Sequence, residues 1–119
     1  MTDPAVTTLM HANLLEVFGE RDPDKRAEAI RRTYTEDVVA ADPEGQVEGF
    51  EQLDAKVQQI LDGAPGLVFS TDGDVYSVAD LHYLGWTLGP EGQPPVAKGA
   101  DAVMLRDGRI AKIYTFLYS

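Results

Sequence analysis

The segment VAKGADAVMLRDGRIAKIYTFLY, residues 96–118, consists of two alternating runs joined by Asp107-Gly108. Both central residues of a type I′ turn need positive φ, which Asp-Gly tolerates, so Val96–Leu105 and Arg109–Tyr118 are predicted to be antiparallel neighbours. The same period of two extends upstream. Leu81–Leu88 reads as a strand entered from a turn near Ala79-Asp80 and left through the loop Gly89-Pro90-Glu91-Gly92-Gln93-Pro94-Pro95. Leu67 to about Val78 reads as a longer strand, kinked or bulged at Thr71-Asp72-Gly73-Asp74.

Ahead of Leu67 the period is helical. Asp3-Pro4 is a helix start, with Asp as N-cap and Pro at the first helical position. Val6, Leu9, Met10, Leu14, Val17 and Phe18 then share one face, and Gly19 ends the helix. Asp22-Pro23 repeats the start signal, with Ala27, Ile30 and Tyr34 as the buried stripe of a second helix. Val38–Asp42 reads as a short strand stopped by Pro43-Glu44-Gly45. Phe50, Leu53, Val57, Ile60 and Leu61 lie on one face of a third helix, which Gly63-Ala64-Pro65-Gly66 breaks. Helices grouped ahead of hairpin-joined strands predict an α+β fold: a curved antiparallel sheet with three helices over its concave face. Such a sheet encloses a cone, a natural site for a small molecule.

The totals restrict what the chain does. Its 119 residues are expected to form one domain, 1–119, large enough to bury roughly two-thirds of the unfolded chain's surface. It has no cysteine, which removes disulfides, thiolate-held metals and thiol nucleophiles. No basic segment followed by an apolar run opens the chain, and no stretch approaches the ~18 apolar residues of a membrane span, so a cytoplasmic protein is expected. A net charge of −10 repels phosphate backbones and anionic lipid, so neither nucleic acid nor membrane is an expected partner. Lys25-Arg26 and Arg31-Arg32, with Glu28 between them, read as the solvated face of a helix. The two histidines, His11 and His82, belong to no cluster with metal-ligand spacing. There is no glycine-rich phosphate loop and no Gly-x-Ser-x-Gly or His-Glu-x-x-His motif. Neither a metal nor another cofactor is expected.

Tyr34-Thr35-Glu36-Asp37-Val38-Val39-Ala40-Ala41-Asp42-Pro43-Glu44-Gly45 resembles a segment of the nuclear transport factor 2-like superfamily. Its closest branches are the SnoaL-like polyketide cyclases and the ketosteroid isomerases. Glu91-Gly92-Gln93-Pro94, Asp101-Ala102-Val103-Met104 and Asp107-Gly108-Arg109-Ile110 continue the likeness over nearly the whole chain. The resemblance implies the cone-shaped fold. It leaves the reaction open, because members include isomerases, cyclases, dehydratases, epoxide hydrolases and proteins without catalysis.

Two aspartates are the candidate catalytic residues. Val38, Ala40 and Asp42 share one strand face, so Asp42 points into the cone if Val38 does. A carboxylate there loses hydration and becomes a better proton acceptor. An Asp before Pro equally well caps its own turn. Asp101 lies mid-strand, and alternation alone does not choose its face. The resemblance implies that Asp42 is the proton-shuttling base. It also implies that Asp101 points inward as a protonated acid donating to an enolate oxygen, the division of roles known for two carboxyls with separated pKa values. The isomerases also carry a tyrosine at the position matched by Leu14 and another at Val57, whereas Tyr34 of that hydroxyl network is present.

The expected pocket wall comprises Leu14, Phe18, Tyr34, Ala40, Val57, Ile60, Leu61, Phe69, His82, Leu84, Trp86 and Val103, with Trp86 either stacking on a flat ligand or serving as core. Asn13 is a polar residue on an apolar helix face, there to satisfy a backbone group or to touch ligand. Tyr114, Phe116 and Tyr118 fall on one side of the last strand and Ile113, Thr115 and Leu117 on the other. An aromatic side opposite the pocket predicts a homodimer through the convex sheet face. Three functions stand open at this point: cofactor-free proton transfer on a small apolar carbonyl compound, binding of an apolar ligand without chemistry, and a structural or dimerising role.

Overall fold

A computed structural model describes residues 2–118. The chain runs through helix α1 (Pro4–Ala12), a π-helical continuation (Asn13–Phe18), α2 (Pro23–Thr33), strands β1 (Tyr34–Asp42) and β2 (Gly45–Glu48), α3 (Gly49–Asp62), and four long strands. These are β3 (Leu67–Val78), β4 (Leu81–Pro90), β5 (Ala97–Arg106) and β6 (Arg109–Tyr118). The six strands form one sheet in the order β2-β1-β6-β5-β4-β3. The sheet is curved and open, and the helices pack on one side of it.

Local chemistry explains most boundaries. Asp3 and Asp22 cap α1 and α2 by accepting from the first free backbone N–H groups, and Pro4 and Pro23 follow at positions whose N–H would be unpaired anyway. Asp107 and Gly108 have φ of 53° and 79°, as the β5–β6 turn requires. The bulge expected near Thr71–Asp74 is present as a register shift between Asp72 and Tyr76, with Gly73 at φ 89°.

Four features depart from the sequence expectation. Tyr34 does not belong to the α2 stripe; its extended backbone begins β1, four residues earlier than predicted. Pro43-Glu44-Gly45 does not end the sheet but turns the chain into the short edge strand β2. The sheet is mixed, because β1 pairs with β6 in parallel while the other pairings are antiparallel. Hairpin reasoning covers consecutive strands and is blind to a pairing that closes across most of the chain. Finally, Arg26 is buried, unlike its charged neighbours Lys25, Arg31 and Arg32. Its guanidinium donates to Asp54 at 2.6 Å, to Gln58 at 2.5 Å and to the Glu20 carbonyl at 2.8 Å, fastening α2 to α3. The buried stripe of α2 is therefore Arg26, Ala29, Ile30 and Thr33.

Residues directly opposite in an antiparallel pair project to the same side. Leu84, Asp101 and Thr115 are thus in line across β4, β5 and β6 on the concave side, and Trp86, Gly99 and Leu117 form the next row. Gly99 is required there: a Cβ would lie 2.4 Å from Trp86 Cζ2 and 2.1 Å from the Phe116 carbonyl oxygen. Its missing side chain lets the Trp86 ring lie against the sheet, where Phe69 meets it edge-on at 5.5 Å between centroids.

Candidate functional site

The first helix supplies the inner polar group. A π-turn has more residues per turn than an α-helix, and here Gly19 N–H reaches back five residues to the Leu14 carbonyl at 2.8 Å. Ala12, Asn13 and Leu14 are all buried as a result, so a polar and an apolar side chain face the interior side by side.

Asn13 Nδ2 donates to Asp101 Oδ2 at 3.0 Å, and Thr115 Oγ1 donates to Oδ1 at 2.8 Å. The Trp86 side chain, in the next row, also favours the charged form of this carboxyl. On its other side Asn13 accepts, through Oδ1, a short hydrogen bond from the Tyr34 hydroxyl. Asp101 is 4% exposed. Burial pushes its pKa up, against the pull of Thr115, Asn13 and Trp86, and it settles at about 6. The Tyr34 hydroxyl is held well above its ordinary range, by burial first and by the negative charge on Asp101 second.

This carboxyl faces a cavity of about 360 Å³. Of the residues predicted for the wall, Leu14, Phe18, Ile60, Phe69 and Trp86 line it, and so do both aspartates. Ala40 lines an adjoining, smaller recess of about 210 Å³, which shares Phe18, Asp42, Glu44, Ile60 and Thr115 with the first. Tyr34, Val57, Leu61, Leu84 and Val103 are buried in the core and line neither space. His82 also lies outside both; it is half-buried, with Nδ1 2.7 Å from Ser77 Oγ.

One physical reason accounts for the strand residues among these corrections. Alternation fixes which side a strand residue faces, not how far along the cone it lies. The cavity uses the late part of β4 and β6 and the early part of β5, so Leu88, Ala97, Thr115 and Leu117 line it. His82, Leu84 and Val103 share that side but sit toward the other end of the same strands. The four lining residues that were missed carried a signal: each lies on the strand face of Trp86, Asp101 or Ile113. Pro43 and Glu44, also in the lining, had none beyond their turn.

Asp42 is not the water-free carboxylate expected at this position. Its side chain is 20% exposed, and Oδ2 pairs with Lys56 Nζ at 3.1 Å. Oδ1 accepts from the Glu44 N–H at 2.8 Å, so Asp42 both caps its own turn and faces the cavity. Lys56, from α3, is held as a cation by Glu44 foremost and by Asp42 as well. The β1–β2 turn is thereby tied to α3 across the rim. Among the described residues no group of three or more His, Cys, Asp or Glu side chains is arranged to hold a metal ion, and no helix is long and apolar enough to cross a membrane.

The model of the SnoaL-like domain matches residues 12–113. Among solved structures, a candidate isomerase of the SnoaL-like family from Agrobacterium tumefaciens superposes with a TM-score of 0.89 at 24% identity, covering 98% of this chain and 100% of the other. A candidate SnoaL-like polyketide cyclase from Jannaschia sp. CCS1 gives 0.76 at 20% identity, covering 98% and 90%. A candidate ketosteroid isomerase from Kribbella flavida gives 0.72 at 14%, covering 97% and 78%. At these identities the likeness carries the fold. No curated protein matches the sequence significantly.

The raised pKa of Asp101 has a thermodynamic consequence. The folded chain holds its proton up to about pH 6, whereas the unfolded chain releases it near 3.8. The stabilising contribution is therefore complete below pH 3.8 and is lost as pH rises through 6, a change of order 3 kcal/mol. Urea unfolding of the wild type and Asp101→Asn across pH 4–7 should show their stability difference moving by that order, in the direction that penalises the wild type at higher pH. A pH-independent difference would mean that Asp101 titrates as an ordinary carboxyl.

Proposed function

Because the chain belongs to the SnoaL-like domain family, we propose that its cavity binds a small apolar carbonyl compound and moves a proton on it, with Asp101 as the acid–base group. The observation that carries this reading is the placement of Asp101: a carboxyl with a pKa of about 6 facing a largely apolar cavity. A base whose pKa lies near the working pH combines availability of the charged form with affinity for the proton. The hydrogen bonds favour a base over the protonated donor that the resemblance implies. Asn13 meets Asp101 with an NH₂ group, which donates and cannot accept, the pattern of an ionised carboxylate. Asp42, tied to Lys56, orients the polar end of the ligand at the rim. Leu14 stands in the cavity wall at the position where the isomerases carry an oxyanion-binding tyrosine, so turnover is slow; one such donor is commonly worth 10²–10³ in rate.

The convex side supports a second element of the reading: two copies pair through it. Tyr114, Phe116 and Tyr118 are 39%, 53% and 49% exposed, and the Tyr118 and Tyr83 hydroxyls are 2.6 Å apart on the same surface. On a chain of charge −10, an aromatic strip flanked by Lys98 and Lys112 is where a second copy approaches with least repulsion.

Deuterium uptake α to the carbonyl of a panel of cyclic ketones tests the chemistry. Exchange should rise as pH passes 6 and level off above it, because the basic form of Asp101 accumulates. Asp101→Asn should lower it at least about 100-fold while ketone binding, followed by Trp86 fluorescence, is retained; Asp42→Asn should keep most of it. Exchange lost in Asp42→Asn and kept in Asp101→Asn would reverse the assignment. Trp86 quenching by ketones without exchange at any pH would leave a binding protein without chemistry. For the assembly, sedimentation at micromolar concentration should give a dimer that Phe116→Asp converts to monomer. A monomeric wild type would refute the pairing.

A further inference from the structure

We propose that Asn13 is a positioning residue that keeps Asp101 in its proton-accepting form, its amide being locked in one orientation by the Tyr34 hydroxyl. The proposal rests on the reading of Asp101 as the acid–base group and deepens it.

The lock follows from the inventory of donors and acceptors. The Tyr34 hydroxyl is fully buried and keeps its proton throughout the ordinary pH range, so that proton needs an acceptor. The acceptor is Asn13 Oδ1. An amide has one carbonyl oxygen and one NH₂ group, so committing Oδ1 to Tyr34 turns Nδ2 toward Asp101, 3.0 Å away. The NH₂ group donates and does not accept. A lone pair on Asp101 Oδ2 satisfies it, whereas a proton on that oxygen leaves two donors facing one another. Protonating Asp101 there requires the amide to turn over, and the turned amide presents NH₂ to the Tyr34 proton. A protonated Asp101 keeps this contact only with its proton on Oδ1, toward Thr115, and the amide then donates to a neutral acid instead of a charged carboxylate, a weaker bond. The chain of three thus favours the ionised carboxyl, although Tyr34 itself does not bond to Asp101.

The π-turn makes this arrangement possible by bringing Asn13 inward beside Leu14. Other groups around Asp101 do not substitute for it. Thr115 carries a hydroxyl that reverses its role freely, accepting from a protonated carboxyl as readily as it donates to an ionised one. Trp86 acts on Asp101 from β4 irrespective of Tyr34. Among the described residues, the titratable groups facing the same cavity are Asp42 and Glu44 on the β1–β2 turn, and Lys56 of α3 is engaged with both. His82 of β4 lies outside the cavity.

The test reads Asp101 directly and needs no substrate. Carboxyl ¹³C shifts of Asp101 would be followed by NMR from pH 4 to 9 in the wild type, Tyr34→Phe, Asn13→Leu and the double variant. Asn13→Leu should move the midpoint up by about one pH unit or more, since a donor to the charged form is lost. Tyr34→Phe keeps the ring in place and should also move it up, although the atom removed lies one residue away from Asp101. In the Asn13→Leu background the tyrosine change should add nothing, because Tyr34 acts through the amide. An unmoved midpoint in Tyr34→Phe overturns the lock, as does a tyrosine effect that persists without Asn13. If Asn13→Leu does not fold, the single variant Tyr34→Phe decides alone, by whether the midpoint moves. Failure of ketone exchange with the midpoints behaving as stated would remove the proposed reaction and leave the lock standing.

Discussion

A carboxyl group in a mostly apolar cavity is costly, and the interior of this chain is arranged around meeting that cost. Transfer of an ion from water to a medium of low polarity is offset only by charge or by directed hydrogen bonds. Among the described residues no cation reaches Asp101. Neutral groups do: Asn13 from the π-helical turn and Thr115 from β6 donate hydrogen bonds to it, and Trp86 from β4 adds a further pull toward the charged form. They come from elements far apart in sequence, so the folded state brings together what the carboxyl needs. The balance between burial and these donors is what brings Asp101 to about 6 and makes it chemically useful near neutral pH.

The architecture serves that balance at several scales. Parallel pairing of β1 with β6 brings Tyr34 and Asp42 onto the strand next to the one carrying Thr115. Sheet curvature leaves space under the helices that side chains do not fill. Gly99 removes a side chain so that the indole can lie against β5, within reach of Asp101. At the open end the Asp42–Lys56–Glu44 cluster places charge where water still reaches, keeping the interior polar groups few. The two carboxyls therefore differ in kind: one is charge-paired at the rim, the other held by neutral donors inside.

Much of this was legible in the residues, and the failures have a common physical origin. Asp3-Pro4, Asp22-Pro23 and Asp107-Gly108 act through their own backbone geometry, so helix starts and the last hairpin could be read locally. Trp86, Phe69, Leu14 and Ile60 were found in the wall because period and side coincide there. Arg26 was misread because a buried guanidinium is recognised by its partners Asp54 and Gln58, on another helix, and not by its own neighbours. His82 was placed in the wall because alternation carries no information on depth along the cone, and Tyr34 because the resemblance gives it as a hydroxyl of the isomerase network. Asn13 stood out as an amide on an apolar face, but its partners lie 21 and 88 residues away. Nothing local indicates that it joins a tyrosine to an aspartate. The pattern of residues 34–45 singled out Asp42, which lines the cavity, while the cation paired with it comes from α3 and is not legible in that segment.

The most direct measurement is a neutron structure of the deuterium-exchanged protein at pH 8. The network described here predicts a bare Asp101 carboxylate, with deuterons on Asn13 Nδ2 and Thr115 Oγ1 directed at it and the Tyr34 deuteron directed at Asn13 Oδ1. A deuteron on either Asp101 oxygen at that pH would contradict it.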